Sequence, residues 1–140
     1  QRQMCIRDRF NPEDSIDLTG NTGPFIQYAY VRIKSILKKV NMATGINIEY
    51  NLNEKEKEVI KTIHEFPTVI KSSYKELSPA LIANYLYDLV KSFNSLYQNY
   101  NILNSESKDS TSIRLTISSK VAYIIESCCD LLGIELPNKM

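Results

Sequence analysis

The chain has 140 residues, 43% of them hydrophobic and 24% charged, and carries a net charge of +1. This is the length of about one domain, able to bury roughly two-thirds of its unfolded surface without disulfides or metals, and the composition excludes both a disordered chain and a polybasic nucleic-acid coat. No apolar run approaches the roughly 18 residues of a membrane span, and three cysteines with one histidine and no Cys-x-x-Cys exclude a zinc framework and favour reduced thiols in a cytosolic compartment.

Residues 1–9 are basic and lack periodicity; they read as a non-native scar and stand outside the fold argument. Residues 10–23, dense in Asn, Pro, Asp, Gly and Thr, read as an irregular lead-in, and residues 24–140 as the folded domain. Thr22 or Gly23 caps a first helix with Pro24 in its opening turn, where a missing N–H costs nothing. Ile26, Ala29, Ile33, Ile36, Leu37 and Val40 form its buried stripe, and Lys34, Lys38 and Lys39 suit the negative end of its dipole. A loop follows over residues 41–53, with a brief extended run through Ile46, Ile48 and Tyr50. Asn53 with Glu56 is a capping arrangement for a second helix bearing Val59, Ile60, Ile63 and Phe66. Pro67 is expected to stop that helix and open a third, shorter one with Val69, Ile70, Tyr74 and Leu77.

Ser78-Pro79 is expected to cap the strongest helix, whose stripe runs through Leu81, Ile82, Tyr85, Leu86, Leu89, Val90, Phe93, Leu96 and Tyr97. Burying that stripe is offset by the cost of ordering the backbone, so this helix needs neighbours and is expected at the bundle centre. Residues 99–112 read as a solvated loop, and a last helix is expected to begin after Thr111 or Ser112. It carries Ile113, Ile117, Val121, Ile124, Ile125, Cys128, Leu131 and Leu132, with Gly133 as its C-terminal cap and an extended tail beyond. The expected fold is all-α, a bundle of four to five helices.

Chemistry is sparse. There is no Gly-x-x-x-x-Gly-Lys phosphate loop, and Gly20-Asn21-Thr22-Gly23 reads as a turn and helix start. His64 lies on the polar side of its helix, and no nucleophile system surrounds it. The run Glu54-Lys55-Glu56-Lys57-Glu58 reads as a solvated face with i,i+4 pairing. No catalytic or metal site is expected in these residues. The aromatics offer more: there are nine tyrosines and no tryptophan. Tyr85 reads as core. Tyr97, at a helix end beside a polar loop, fits a packed ring with a satisfied hydroxyl and an exposed stacking platform equally well. Phe25, Tyr28 and Arg32 share a stripe of the first helix, off its aliphatic face, and Lys39 continues that side. Aromatic faces beside a fixed cation suit unpaired bases and their phosphates, although packing against another helix fits Phe25 and Tyr28 as well.

Three colinear segments carry a family resemblance: Thr19 through Leu37; Leu77-Ser78-Pro79-Ala80-Leu81-Ile82-Ala83-Asn84-Tyr85-Leu86-Tyr87-Asp88-Leu89 with Phe93 through Tyr97; and Arg114-Leu115 with the ending Leu131 through Met140. Together they resemble the C-terminal, DALR-type anticodon-binding domain of arginyl-tRNA synthetases. The resemblance implies a helical bundle that grips the tRNA anticodon stem and loop. Family aromatics matching Phe25, Tyr28 and Tyr97, with the terminal methionine matching Met140, would surround anticodon bases; Arg32 and Lys39, read from the residues alone, are placed to hold phosphates. Phe25 stands where the family's usual residue is tyrosine. Asn101 stands where some members place a tryptophan, with Tyr100 as a substitute, and Lys139 replaces the usual arginine, keeping the charge without the planar fork. The family's class I catalytic domain, with its ATP motif and magnesium, would lie upstream, making the parent a cytoplasmic, monomeric ATP-dependent ligase that joins arginine to its tRNA isoacceptors. The alternatives are a helical protein-interaction bundle without RNA binding, favoured by the near-zero net charge, and the anticodon domain of another class I synthetase such as the cysteine enzyme.

Overall fold

The computed structural model describes residues 20, 22–39, 50–105 and 107–139, and these form four α-helices with no strand among them. They are α1 (Gly23–Leu37), α2 (Glu54–Glu76), α3 (Ala80–Asn99) and α4 (Lys108–Leu132). The expectations for residues 1–19, for Val40 and for the extended run near Ile46 and Ile48 lie outside the described residues.

Local chemistry explains most boundaries. The Thr22 side chain accepts from the Phe25 N–H, and Pro24 occupies the first turn of α1. A full capping box opens α2: the Asn53 side chain accepts from Glu56 N–H at 2.8 Å while the Glu56 carboxylate accepts from Asn53 N–H at 3.0 Å. Gly133, at φ 70°, closes α4 in the left-handed conformation that glycine adopts without penalty.

Several expectations need correction. Pro67 does not end a helix; it lies within α2. Its ring and missing N–H cost one hydrogen bond at that turn, but Phe66, Val69 and Ile70 on either side of it all pack on the core, and that packing carries the helix through. Tyr74 and Leu77, expected as apolar anchors, are 83% and 86% exposed, and Leu77 forms the left-handed cap of α2 instead. No side-chain bond caps α3; a turn through the carbonyls of Ser78 and Pro79 starts it, and Ser78 oxygen also accepts from the Ser73 hydroxyl. Finally, α4 begins at Lys108, several residues earlier than expected, because Ser107 and Ser110 form a reciprocal cap that reads in sequence as ordinary loop serine. At its other end Leu131 is exposed.

Helices α3 and α4 pack on each other and each contacts both α1 and α2, so the two form the centre and α1 and α2 flank them. Leu86, Leu89, Val90, Phe93 and Leu96 of α3 meet Val121, Ile125, Cys128 and Cys129 of α4 in the fully buried interior. Tyr85 is core, as expected, with its hydroxyl donating to Thr62 oxygen at 3.0 Å. Tyr97, at the end of the same stripe, emerges to the surface.

Candidate nucleic-acid interface

On α1, residues three and four apart share a face, which places Tyr28 one turn before Arg32. Packing of α1 against α3 then brings Arg32 to the C-terminal half of α3. There the guanidinium lies 4.3 Å from the centroid of the Tyr97 ring and 5.5 Å from that of Tyr28, and donates through Nη2 to Asn94 Oδ1. Arg32 is therefore fixed between two rings, and its Nε is buried without a hydrogen-bond partner among the described residues. Both rings keep open surface: Tyr28 is 48% exposed and Tyr97 37%. A fixed cation between exposed aromatic faces can stack bases and attract phosphate together.

Phe25 is partly separate from this pair. It is half-buried, with its ring 5.5 Å from that of Tyr87 and tilted by 48°, so part of it serves the α1–α3 contact. Lys39 is exposed just beyond α1, and its backbone N–H closes the helix on Ile36 oxygen. Lys139 is exposed in the tail; Met140 lies outside the described residues. The tail returns toward α1, where the Gln27 side-chain amide donates to Glu135 oxygen at 2.8 Å.

Tyr100 and Asn101 follow α3 directly. A cavity of about 300 Å³ is lined by Tyr97, Gln98, Asn99, Tyr100, Asn101 and Ile102. Asn101 Oδ1 accepts from the N–H groups of Leu103 and Asn104, both at 3.1 Å, so its side-chain oxygen folds the loop back on itself. Beneath the loop lies a buried ion pair that the sequence reading missed. Arg114 Nε donates to Glu56 Oε1 at 2.7 Å, with side-chain exposures of 4% and 0%. Arg114 Nη1 donates to Asn101 oxygen at 2.9 Å, and its guanidinium lies 4.9 Å from the Tyr100 ring centroid. Glu56 also accepts from the Tyr50 hydroxyl at 3.3 Å.

The expected solvated run is thus corrected at its middle residue. Lys55–Glu58 and Lys57–Glu54 do form exposed pairs, three residues apart and not four, but Glu56 turns inward. Two signals pointed to this pair: a glutamate at the third position of a capping box, and an arginine flanked by Ile113 and Leu115 in an apolar stripe.

A larger cavity of about 630 Å³ lies on the Tyr30 side of α1, lined by Tyr30, Glu126, Asp130, Gly133, Ile134, Glu135 and Leu136. Its carboxylates repel phosphate. At its edge Glu126 accepts from the Tyr30 hydroxyl at 2.5 Å and from Lys34 at 3.1 Å. The hydrogen bond from Tyr30, then Lys34, holds the Glu126 carboxyl below its ordinary value; burial first, then Glu126, pushes the Tyr30 phenol up. Burial raises the thiols of Cys128 and Cys129 to about 12 and about 11, and neither is disulfide-bonded. His64 is exposed, as expected. Among the described residues no cluster of three or more His, Cys, Asp or Glu could hold a metal ion, and no helix is long and apolar enough to cross a membrane.

Comparisons with known proteins agree with this architecture. An arginine–tRNA ligase of Flavobacterium psychrophilum is 52% identical over 131 residues, covering 94% of this chain and 22% of the relative. One of Parabacteroides distasonis is 43% identical over 136 residues, covering 94% and 23%. The chain thus spans between a fifth and a quarter of the length of these relatives. Among solved structures, Thermus thermophilus arginyl-tRNA synthetase superposes with a TM-score of 0.87 at 25% identity, covering 94% of this chain and 23% of that one. The Plasmodium falciparum arginyl-tRNA synthetase gives 0.80 at 27% identity with the same coverage. The family model described as the DALR anticodon binding domain matches residues 26–140. The chain belongs to the DALR anticodon-binding domain family.

Proposed function

We propose that this chain is the anticodon-recognition part of an arginine–tRNA ligase, stacking unpaired anticodon bases on Tyr28 and Tyr97 and drawing backbone phosphate to Arg32. The observation that carries the reading is the guanidinium of Arg32 held between two rings that both remain open to solvent. Phe25 and Met140 complete the cradle in this reading, with Lys39, Tyr100, Asn101 and Lys139 at its margin. The family match over residues 26–140 supports a domain running from residue 24 to the end, with residues 1–9 a short non-native piece in this reading.

Chemistry is assigned elsewhere. Joining arginine to tRNA, with ATP and magnesium, belongs to the part of the relatives this chain does not span, in a monomeric cytoplasmic enzyme whose catalytic domain lies upstream. This domain contributes position: a stacked base is worth about 1–3 kcal/mol, and correct engagement favours productive placement of the distant acceptor end.

The test is a fluorescence anisotropy titration of the 140-residue chain with a labelled arginine-tRNA anticodon stem-loop. Tyr97→Ala and deletion of Met140 should each weaken binding about tenfold, as loss of one stacking contact predicts. Affinity should also fall as salt rises. Unchanged affinity in both variants would remove those residues from the site, and salt-independent binding would favour a protein-interaction surface.

A further inference from the structure

We propose that Arg114 is a positioning residue for anticodon recognition: from inside the bundle it sets the backbone of Tyr100 and Asn101 so that the depression beside Tyr97 is formed before RNA arrives. The inference rests on the anticodon-binding reading above and deepens it.

Arg114 divides its donors among several partners. Arg114 is 3% exposed, so its charge needs a counter-ion, and Glu56 supplies one at 2.7 Å through Nε alone. The guanidinium also reaches Tyr50 and a loop. Nη1 donates to the Asn101 main-chain oxygen at 2.9 Å, and the Tyr100 ring lies against the guanidinium at 4.9 Å. Asn101 then passes the constraint outward through its side chain to the N–H groups of Leu103 and Asn104. The same Tyr97–Ile102 segment lines the cavity of about 300 Å³, and Tyr97 forms its junction with Arg32. A continuous set of contacts therefore runs from Glu56 through Arg114 to the proposed stacking surface. A loop ordered in advance does not spend binding energy on its own ordering.

Only a planar, forked cation can meet Glu56, the Asn101 carbonyl and the Tyr100 face together. Arg114→Lys keeps a charge for Glu56 and loses the fork, whereas Glu56→Gln weakens the pair and leaves the Arg114–Asn101 bond. The experiment measures melting temperature and stem-loop affinity for the 140-residue chain and both variants, using a cognate arginine-tRNA stem-loop and one with a substituted anticodon base. Arg114→Lys should melt cooperatively yet weaken cognate binding about five- to tenfold and reduce discrimination between the two loops. Glu56→Gln should melt earlier yet keep the discrimination ratio. Affinity that simply follows melting temperature across both variants would overturn the proposal by making Arg114 structural only.

A second measurement on the unaltered chain covers a variant that fails to fold. The amides of Leu103 and Asn104 should exchange slowly in the free protein and change little when RNA binds. Open exchange that closes only on binding would show that the loop is built by the RNA, and the proposal would fall. An unaltered chain that does not distinguish the two stem-loops would sink the anticodon reading itself; discrimination retained in Arg114→Lys would sink only the role of Arg114.

Discussion

Replacing Glu56 with leucine removes the counter-ion of Arg114 while keeping a side chain of comparable volume. Arg114 would remain almost wholly buried with the Asn101 carbonyl as its hydrogen-bond partner. Leaving a buried charge uncompensated costs about 3–5 kcal/mol, and losing the acceptor for Asn53 N–H removes half a capping box, about 1 kcal/mol. The two share one side chain and are not additive, so about 3–5 kcal/mol is the expected total, or roughly 10–20 °C in melting temperature for a domain of this size. Urea denaturation followed by far-UV circular dichroism measures it. The second arm is Arg114→Met and the third is the pair Glu56→Leu/Arg114→Met. Each single variant should lose several kcal/mol, while the double variant should lie within about 1–2 kcal/mol of the parent, because an apolar pair of similar volume replaces a buried ion pair nearly neutrally. Single variants costing under about 1 kcal/mol, or a double variant equal to their sum, would refute the claim that these residues stabilise only as a pair.

Two further outcomes follow from the titrating groups. Because Glu126 has a depressed folded-state pKa, its contribution is full above the ordinary carboxylate range and lost as pH falls through the lowered value. Glu126→Gln should therefore melt slightly below the parent at pH 7 and converge with it in acid; a gap that widens in acid would reverse the assignment. The effect should be small, since Glu126 and Lys34 are both more than a third exposed. Cys128 and Cys129, buried and with thiols raised to about 12 and about 11, should resist alkylation at pH 8 until the chain unfolds, as read by site-resolved mass spectrometry; rapid modification in the native state would show the α3–α4 interior opening locally.

What the sequence determined by itself was most of what acts over one or two turns. The Thr22 and Asn53 caps, the Gly133 stop, the apolar stripes of α1 and α3, the Tyr28–Arg32 spacing and the colinear family segments are all local, and the all-α bundle follows from them. Tertiary structure decided the cases in which a local rule competes with packing. Pro67 reads as a stop, yet the apolar contacts on both sides hold α2 together across it. Glu56 reads as one charge in a solvated run, yet it points inward because Arg114, on a different helix, makes that burial tolerable. The junction of Arg32 with Tyr97 and Asn94 belongs to the same class: periodicity puts each side chain on a face of its own helix, and only the docking of α1 on α3 determines which faces meet. The dividing line is physical: hydrogen bonds within a turn are written into neighbouring residues, whereas burial of a charge or a ring depends on partners that the chain brings close only when it folds.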